Sequence, residues 1–211
     1  MTCSRPAWLA ILLAFTGPAW AGALEAYVAT PAGAAVADAA VVAEPLSGAA
    51  PGKRAVAAIE QRDRELNPYV TIVQEGTAIE FPNRDPFKHH LYSFSPAKAF
   101  EIKLYAGKPV KPIVFDKSGE VALGCNIHDW MEAYVLVVDS PYFAKTGSNG
   151  RALIANIPPG RYRLRLWHPR QKKELPSREI EMGATTTKFD SIMDVAPRIV
   201  KPTPPVDPAL Y

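Results

Sequence analysis

The segment Gly124-Cys125-Asn126-Ile127-His128-Asp129-Trp130-Met131 places a thiol, an imidazole and a thioether within seven residues, at the spacing C-x2-H-x2-M. These are soft and borderline donors. Two histidines and a cysteine around a metal, with a weak axial methionine, form the arrangement that suits copper in one-electron chemistry. A second histidine is then needed. The chain has only four, His89, His90, His128 and His168. His89 and His90 follow a proline-containing loop, Pro82 to Lys88, where the chain enters an apolar run. Neighbouring strand residues point to opposite faces, so only one of the pair can join the site, and alternation alone does not choose. His168, in Trp167-His168-Pro169-Arg170, reads as a surface or turn residue.

The elements that must position these groups read as strands. Twenty-one prolines among 211 residues are about twice the usual share and work against long helices. Ala23–Thr30 and Val36–Pro45 are predicted strands, while 56–66 fits a short helix or a strand equally well. Tyr69–Gln74 and Thr77–Phe81 flank Glu75-Gly76, a hairpin signal. His89–Phe94, Phe100–Tyr105, Ile113–Phe115 and Val121–Cys125 are further strands, and Ala133–Asp139 is apolar enough for a buried sheet. The candidate site therefore occupies a short loop between two strands, with Cys125 ending one and Met131 introducing the next. Beyond Pro141, Arg151–Asn156 and Tyr162–Trp167 are strands separated by Pro158-Pro159-Gly160. Arg161, Arg163 and Arg165 alternate with apolar residues, which gives a strand with a basic outer face. Many short strands between regular turns predict an all-β sandwich or barrel.

Arg5, the apolar run Ala7 to Phe15 and the Ala19-Trp20-Ala21 tripeptide form a secretory signal peptide over residues 1–21. Its removal takes away Cys3 and leaves Cys125 as the single thiol of an exported chain. A lone thiol in an oxidising compartment is a liability unless it is buried or occupied. No later run is long enough to span a bilayer. The net charge of +3 argues against nucleic acid as the main partner. Residues 196–211 are rich in proline and read as an extended tail.

Ile79 to Val137 resembles the small blue copper proteins, or cupredoxins, of the plastocyanin and amicyanin type. Phe81-Pro82-Asn83 through His89 resembles the family's approach to its first ligand. Phe115-Asp116-Lys117-Ser118-Gly119 through Cys125 resembles its approach to the cysteine, and Met131 to Val135 its exit. The resemblance implies one type 1 copper held by His89, Cys125, His128 and Met131, with His90 as the alternative to His89, and with Asn83 bracing the ligand loops. It implies a Greek-key β-sandwich over 55–140 that passes single electrons and is not an enzyme. His128 would be the electron port, and Pro86, Phe87, Ile127 and Trp130 would surround it as an apolar docking patch. Redox proteins, such as a c-type cytochrome or a periplasmic dehydrogenase, would be the partners, in the periplasm. The whole chain is similar to bacterial proteins labelled methylamine utilization proteins, and no amine-oxidising residue is visible in it. The family's usual glycine, aromatics and proline are replaced by Ala133, by Val121 and Leu123, and by Ile127.

Segments 24–48 and 141–192 resemble a transthyretin-like, carboxypeptidase-regulatory β module, on Thr146-Gly147-Ser148-Asn149-Gly150-Arg151 and Ile157-Pro158-Pro159-Gly160-Arg161-Tyr162. The expectation is either a discontinuous small sandwich into which the copper domain is inserted, or residues 24–48 as extra N-terminal strands of the copper domain itself. Two other functions fit part of the pattern. One is a copper carrier or chaperone, which requires an open, labile site. The other is a binding module with a vestigial copper site.

Overall fold

The computed structural model describes residues 21–48, 56–109 and 111–198. Residues 1–20 of the expected signal peptide and 199–211 of the expected tail lie outside them. The described chain is all-β, as expected. Its strands are β1 (Gly22–Ala29), β2 (Ala40–Pro45), β3 (Val56–Ala58), β4 (Glu60–Arg62), β5 (Glu65–Asn67), β6 (Val70–Gln74), β7 (Thr77–Glu80), β8 (His89–Ser95) and β9 (Lys98–Tyr105). They continue as β10 (Ile113–Phe115), β11 (Gly119–Cys125), β12 (Glu132–Val138), β13 (Phe143–Lys145), β14 (Arg151–Ile157), β15 (Gly160–Trp167), β16 (Arg178–Met182) and β17 (Thr186–Ile192). No helix among the described residues is long and apolar enough to cross a membrane.

A five-stranded sheet, β6-β12-β11-β8-β9, faces a three-stranded sheet, β10-β7-β3. The core between them includes Ile79, Phe81, Leu91, Phe115, Val121 and Val135. Period-two alternation sets its membership. In β11, Val121, Leu123 and Cys125 turn inward. In β8, His89, Leu91 and Ser93 do so. Cys125 pairs with Leu91 across the two strands. Cys125 and His89 therefore enter the same interior near the same end of the sheet.

One difference from the sequence reading concerns a turn. Glu75-Gly76 does not close a hairpin. β6 pairs in parallel with β12, and β7 pairs with β10 and β3. The turn is an arch that carries the chain from one sheet to the other. Its two amides go to different partners, Glu75 N–H to Val138 O and Gly76 N–H to Phe115 O. Val73 and Ile79 then meet within one core. The ambiguous segment 56–66 is strand, not helix. Ile59 and Gln61 are buried at alternate positions, and β4 and β5 form a small hairpin. Asp63 and Arg64 at its tip both have positive φ, as a two-residue type I′ turn requires.

The remaining strands form two further sheets, β13-β2-β15-β16 and β14-β1-β17. Leu24, Val28, Val41, Ile154, Leu164 and Met193 lie in the core between them. Chain segments at both ends of the described sequence thus share sheets, with β1 held between β14 and the parallel β17. Arg161 and Arg165 of the basic strand face are paired with Glu179 and Glu44 at 2.7 and 3.1 Å.

The two sandwiches share a third cluster. Ala40, Val42 and Trp167 from one pack with Tyr69, Val70, Leu136 and Val138 from the other. This explains the uniformly apolar β12: Val135 and Val137 face the first core, while Leu136 and Val138 face the second sandwich. Behind Trp167, His168 lies at a turn, one of its two expected settings, but is only 1% exposed. Its Nδ1 accepts from Arg170 N–H at 3.0 Å, so the ring serves as a turn acceptor inside the junction. Burial, followed by the nearby Arg170 charge, holds its pKa down to about 4. The fold thus requires neutral His168, and the unfolded chain binds a proton that the folded chain rejects. Stability should fall by about 3 kcal/mol between pH 6.5 and pH 4 on this account. Denaturant unfolding of wild type and His168→Asn across that range checks it. The wild type should show the steeper loss.

Candidate metal centre

His89, Cys125 and His128 come together at one end of the five-stranded sheet, and all three are buried. His89 Nδ1 and His128 Nδ1 each lie 3.8 Å from Cys125 Sγ and 3.2 Å from one another. A point equidistant from the corners of that triangle is about 2.1 Å from each. Metal–imidazole and metal–thiolate bonds are about 2.0–2.3 Å long, so the three donors fit a single ion. Met131 is also buried, in the same core cluster as Cys125. The loop between them is pinned at both ends, by Met131 N–H to His128 O at 2.9 Å and Cys125 N–H to Met131 O at 3.3 Å.

His90 takes the opposite face. Its Nε2 bonds Glu101 Oε1 at 2.8 Å, and its carbonyl accepts from Asn126 N–H at 3.0 Å. Of the two adjacent histidines the structure brings only His89 to the cluster.

Asp85 is the site residue that the sequence reading missed. Its Oδ2 lies 2.8 Å from His89 Nε2, and its side chain is 5% exposed. Asp63 N–H and Arg64 N–H donate to its two oxygens at 2.7 and 3.0 Å. Those amides come from the left-handed turn between β4 and β5, which explains the conformation of that turn. A carboxylate behind a ligating imidazole fixes the tautomer and the ring orientation. The four-residue gap from Asp85 to His89 was visible, but in a Pro-containing loop it does not imply contact.

Asn83 closes this support. Its Nδ2 donates to Phe87 O at 2.8 Å and Tyr105 O at 3.0 Å, and its Oδ1 accepts from Asp85 N–H at 2.9 Å. Gln61 Nε2 bonds the Tyr105 hydroxyl, which donates to Phe81 O at 2.9 Å. Burial pushes the Tyr105 phenol up to about 12, so it stays protonated.

Phe87 and Trp130 cover His128, with ring centroids 6.0 and 5.1 Å from its own. Trp130 Nε1–H donates to Arg64 O at 3.2 Å, which ties this cover to the β4–β5 hairpin. His128 is 2% exposed, whereas Ile127 beside it is 42% exposed. The expected apolar patch is therefore led by Ile127 and Pro86, with Phe87 and Trp130 half-buried.

Charge follows geometry. Burial pushes the Cys125 thiol up, but His89 and the amides of His90, Ile127 and His128 outweigh it and lower its pKa. Burial lowers His89, but Cys125 and Asp85 outweigh it and raise the imidazole. Burial, with the neighbouring His89 charge, lowers His128 and keeps it neutral. Asp85 is raised by burial but lowered further by His89 and the two turn amides. These contacts ease loss of the Cys125 proton, which binding a metal requires.

No family model and no curated protein matches the sequence significantly. Solved structures with partial likeness include the Cu-containing nitrite reductase of Thermus scotoductus, at 21% identity and a TM-score of 0.38. That likeness covers 46% of this chain and only 26% of the reductase. Others are a purple cupredoxin from Nitrosopumilus maritimus (20% identity, TM-score 0.35, 39% of this chain and 99% of that one) and amicyanin from Paracoccus versutus (13%, 0.34, 46% and 92%).

Two outcomes follow from the Asp85–His89 pair. Asp85→Asn should weaken metal binding about 10- to 100-fold, measured by competition with a chelator. In metal-free protein the pair stabilises the fold while Asp85 is ionised and His89 protonated. Asp85, with its lowered pKa, loses its share as pH falls below the ordinary carboxylate value. His89, with its raised pKa, loses its share as pH rises above the ordinary imidazole value. The stability difference between wild type and Asp85→Asn should therefore be largest between about pH 4 and 6.5 and narrow on either side.

Proposed function

We propose that this chain is an exported, periplasmic protein that carries single electrons on one type 1 copper. The convergence of His89 Nδ1, Cys125 Sγ and His128 Nδ1 on one buried point carries this reading. Those residues would hold the ion, with Met131 as the weak fourth donor. Bound copper supplies a one-electron couple between two oxidation states.

The chain's own residues supply what such a couple needs. Asp85 holds the His89 ring, and the backbone bonds between His128, Met131 and Cys125 hold the loop. Donors held on a rigid sandwich rearrange little when the charge changes, which keeps the barrier to transfer low. Phe87 and Trp130 keep water from His128, while Ile127 and Pro86 offer an apolar surface against which a redox partner can sit. A c-type cytochrome or a periplasmic dehydrogenase is the kind of partner envisaged. A carrier suits this chain better than an enzyme, because the other two described histidines are engaged elsewhere: His90 with Glu101, and His168 within the junction turn. Cys125 is 3% exposed, which disfavours the open site of a copper chaperone. In this reading residues 1–21 direct export, and 24–48 plus 141–192 form a module that buttresses the metal-binding sandwich.

Adding Cu(II) to the purified mature chain should produce an intense visible absorption from thiolate-to-copper charge transfer. Cys125→Ser should abolish it with the fold intact. A folded wild-type chain that binds copper without that band would contradict the proposal.

A further inference from the structure

Glu132 stands in an unusual place. It follows Met131 directly, and its cross-strand partner in β11 is Gly124, the residue before Cys125. Glu132 is thus joined through the backbone to both sulfur-bearing residues of the candidate centre, while its carboxylate lies on the opposite face of the sheet. Two phenols hold it. Tyr69 Oη lies 3.4 Å from Glu132 Oε1, and Tyr134 Oη lies 3.3 Å from Oε2. The two rings meet edge to face, with centroids 5.5 Å apart.

The second sandwich reaches this cluster with two cations. The Arg198 guanidinium carbon sits 4.1 Å from the centroid of the Tyr69 ring, and that of Arg170 sits 5.7 Å from it. Backbone bonds hold the segment that leads to Arg198. Arg170 Nη1 donates to Ala196 O at 2.8 Å, Ala196 N–H returns to Arg170 O at 2.9 Å, and Lys172 N–H bonds Asp194 O at 2.9 Å. The segment after β17 is thereby strapped to the turn after β15, and the strap delivers Arg198 to Tyr69. A cation on the face of a phenol is favourable and makes its O–H a stronger donor.

We infer that Glu132 is a positioning and charge-tuning residue for the sulfur side of the metal centre, and that Arg170 and Arg198 of the second sandwich control it through Tyr69. The inference rests on the copper reading only for its redox consequence. A fixed anion near the ion favours the more highly charged oxidation state, and fixed cations favour the lower one. The second sandwich then sets a property of the first without contributing a ligand.

The test uses the full mature chain with Tyr69→Phe, Glu132→Gln and Arg198→Gln, each close in size to the residue it replaces. In metal-free protein carrying 13C-methyl methionine, the Met131 signal should shift in all three. In copper-loaded protein the reduction potential should rise in Glu132→Gln and fall in Arg198→Gln. Unmoved Met131 signals, or potential shifts of the same sign in those two variants, would overturn the inference whatever the melting temperatures do. If no charge-transfer band forms, the copper reading fails, and the Met131 signals still decide the positioning role.

Discussion

A thiol and two imidazoles do not crowd within 4 Å in a dry core unless other groups hold them there. The organising interaction is the contact between His89 and Asp85. The Asp85 side chain is shielded from solvent, so its charge must be satisfied locally, and two amides of a left-handed turn and one imidazole do so. That requirement places the β4–β5 hairpin beside the metal centre. Through Trp130 the same hairpin also covers His128. The ring orientation of His89, the cover over His128 and the turn at Asp63-Arg64 are one construction.

The second constraint is β12. A strand that is apolar on both faces needs a second layer, and Ala40, Val42 and Trp167 provide it. Burying a large apolar side chain is worth about 1.5–3 kcal/mol, so Leu136 and Val138 bind the two sandwiches firmly. The strand that begins just after Met131 is therefore clamped from the metal side and from the far side. This is how an attached module that supplies no donor can stiffen the centre.

Much of this was legible in the sequence because it depends on local chemistry. The spacing of Cys125, His128 and Met131 located the loop, and alternation in β11 explains why Cys125 points inward. The choice between His89 and His90 was not legible from alternation, because both faces of β8 carry plausible neighbours. It is made by Asp85 on one side and Glu101 on the other. The Glu75-Gly76 turn misled because a two-residue turn signal fixes a reversal but not which sheet each arm joins. His168 sits at a turn, as the sequence allowed, but its burial was not legible because it depends on that turn using the ring as an acceptor. Asp85 itself was invisible for a similar reason: its partners come from a hairpin some twenty residues earlier.

In the proposed function His89 Nδ1, Cys125 Sγ and His128 Nδ1 share one copper ion. X-ray absorption at the copper edge of the loaded mature chain tests it most directly. Two nitrogen donors and one short sulfur at about 2.0–2.3 Å are expected around the copper, with the sulfur lost in Cys125→Ser. A first shell of nitrogen and oxygen alone in the wild type would contradict it.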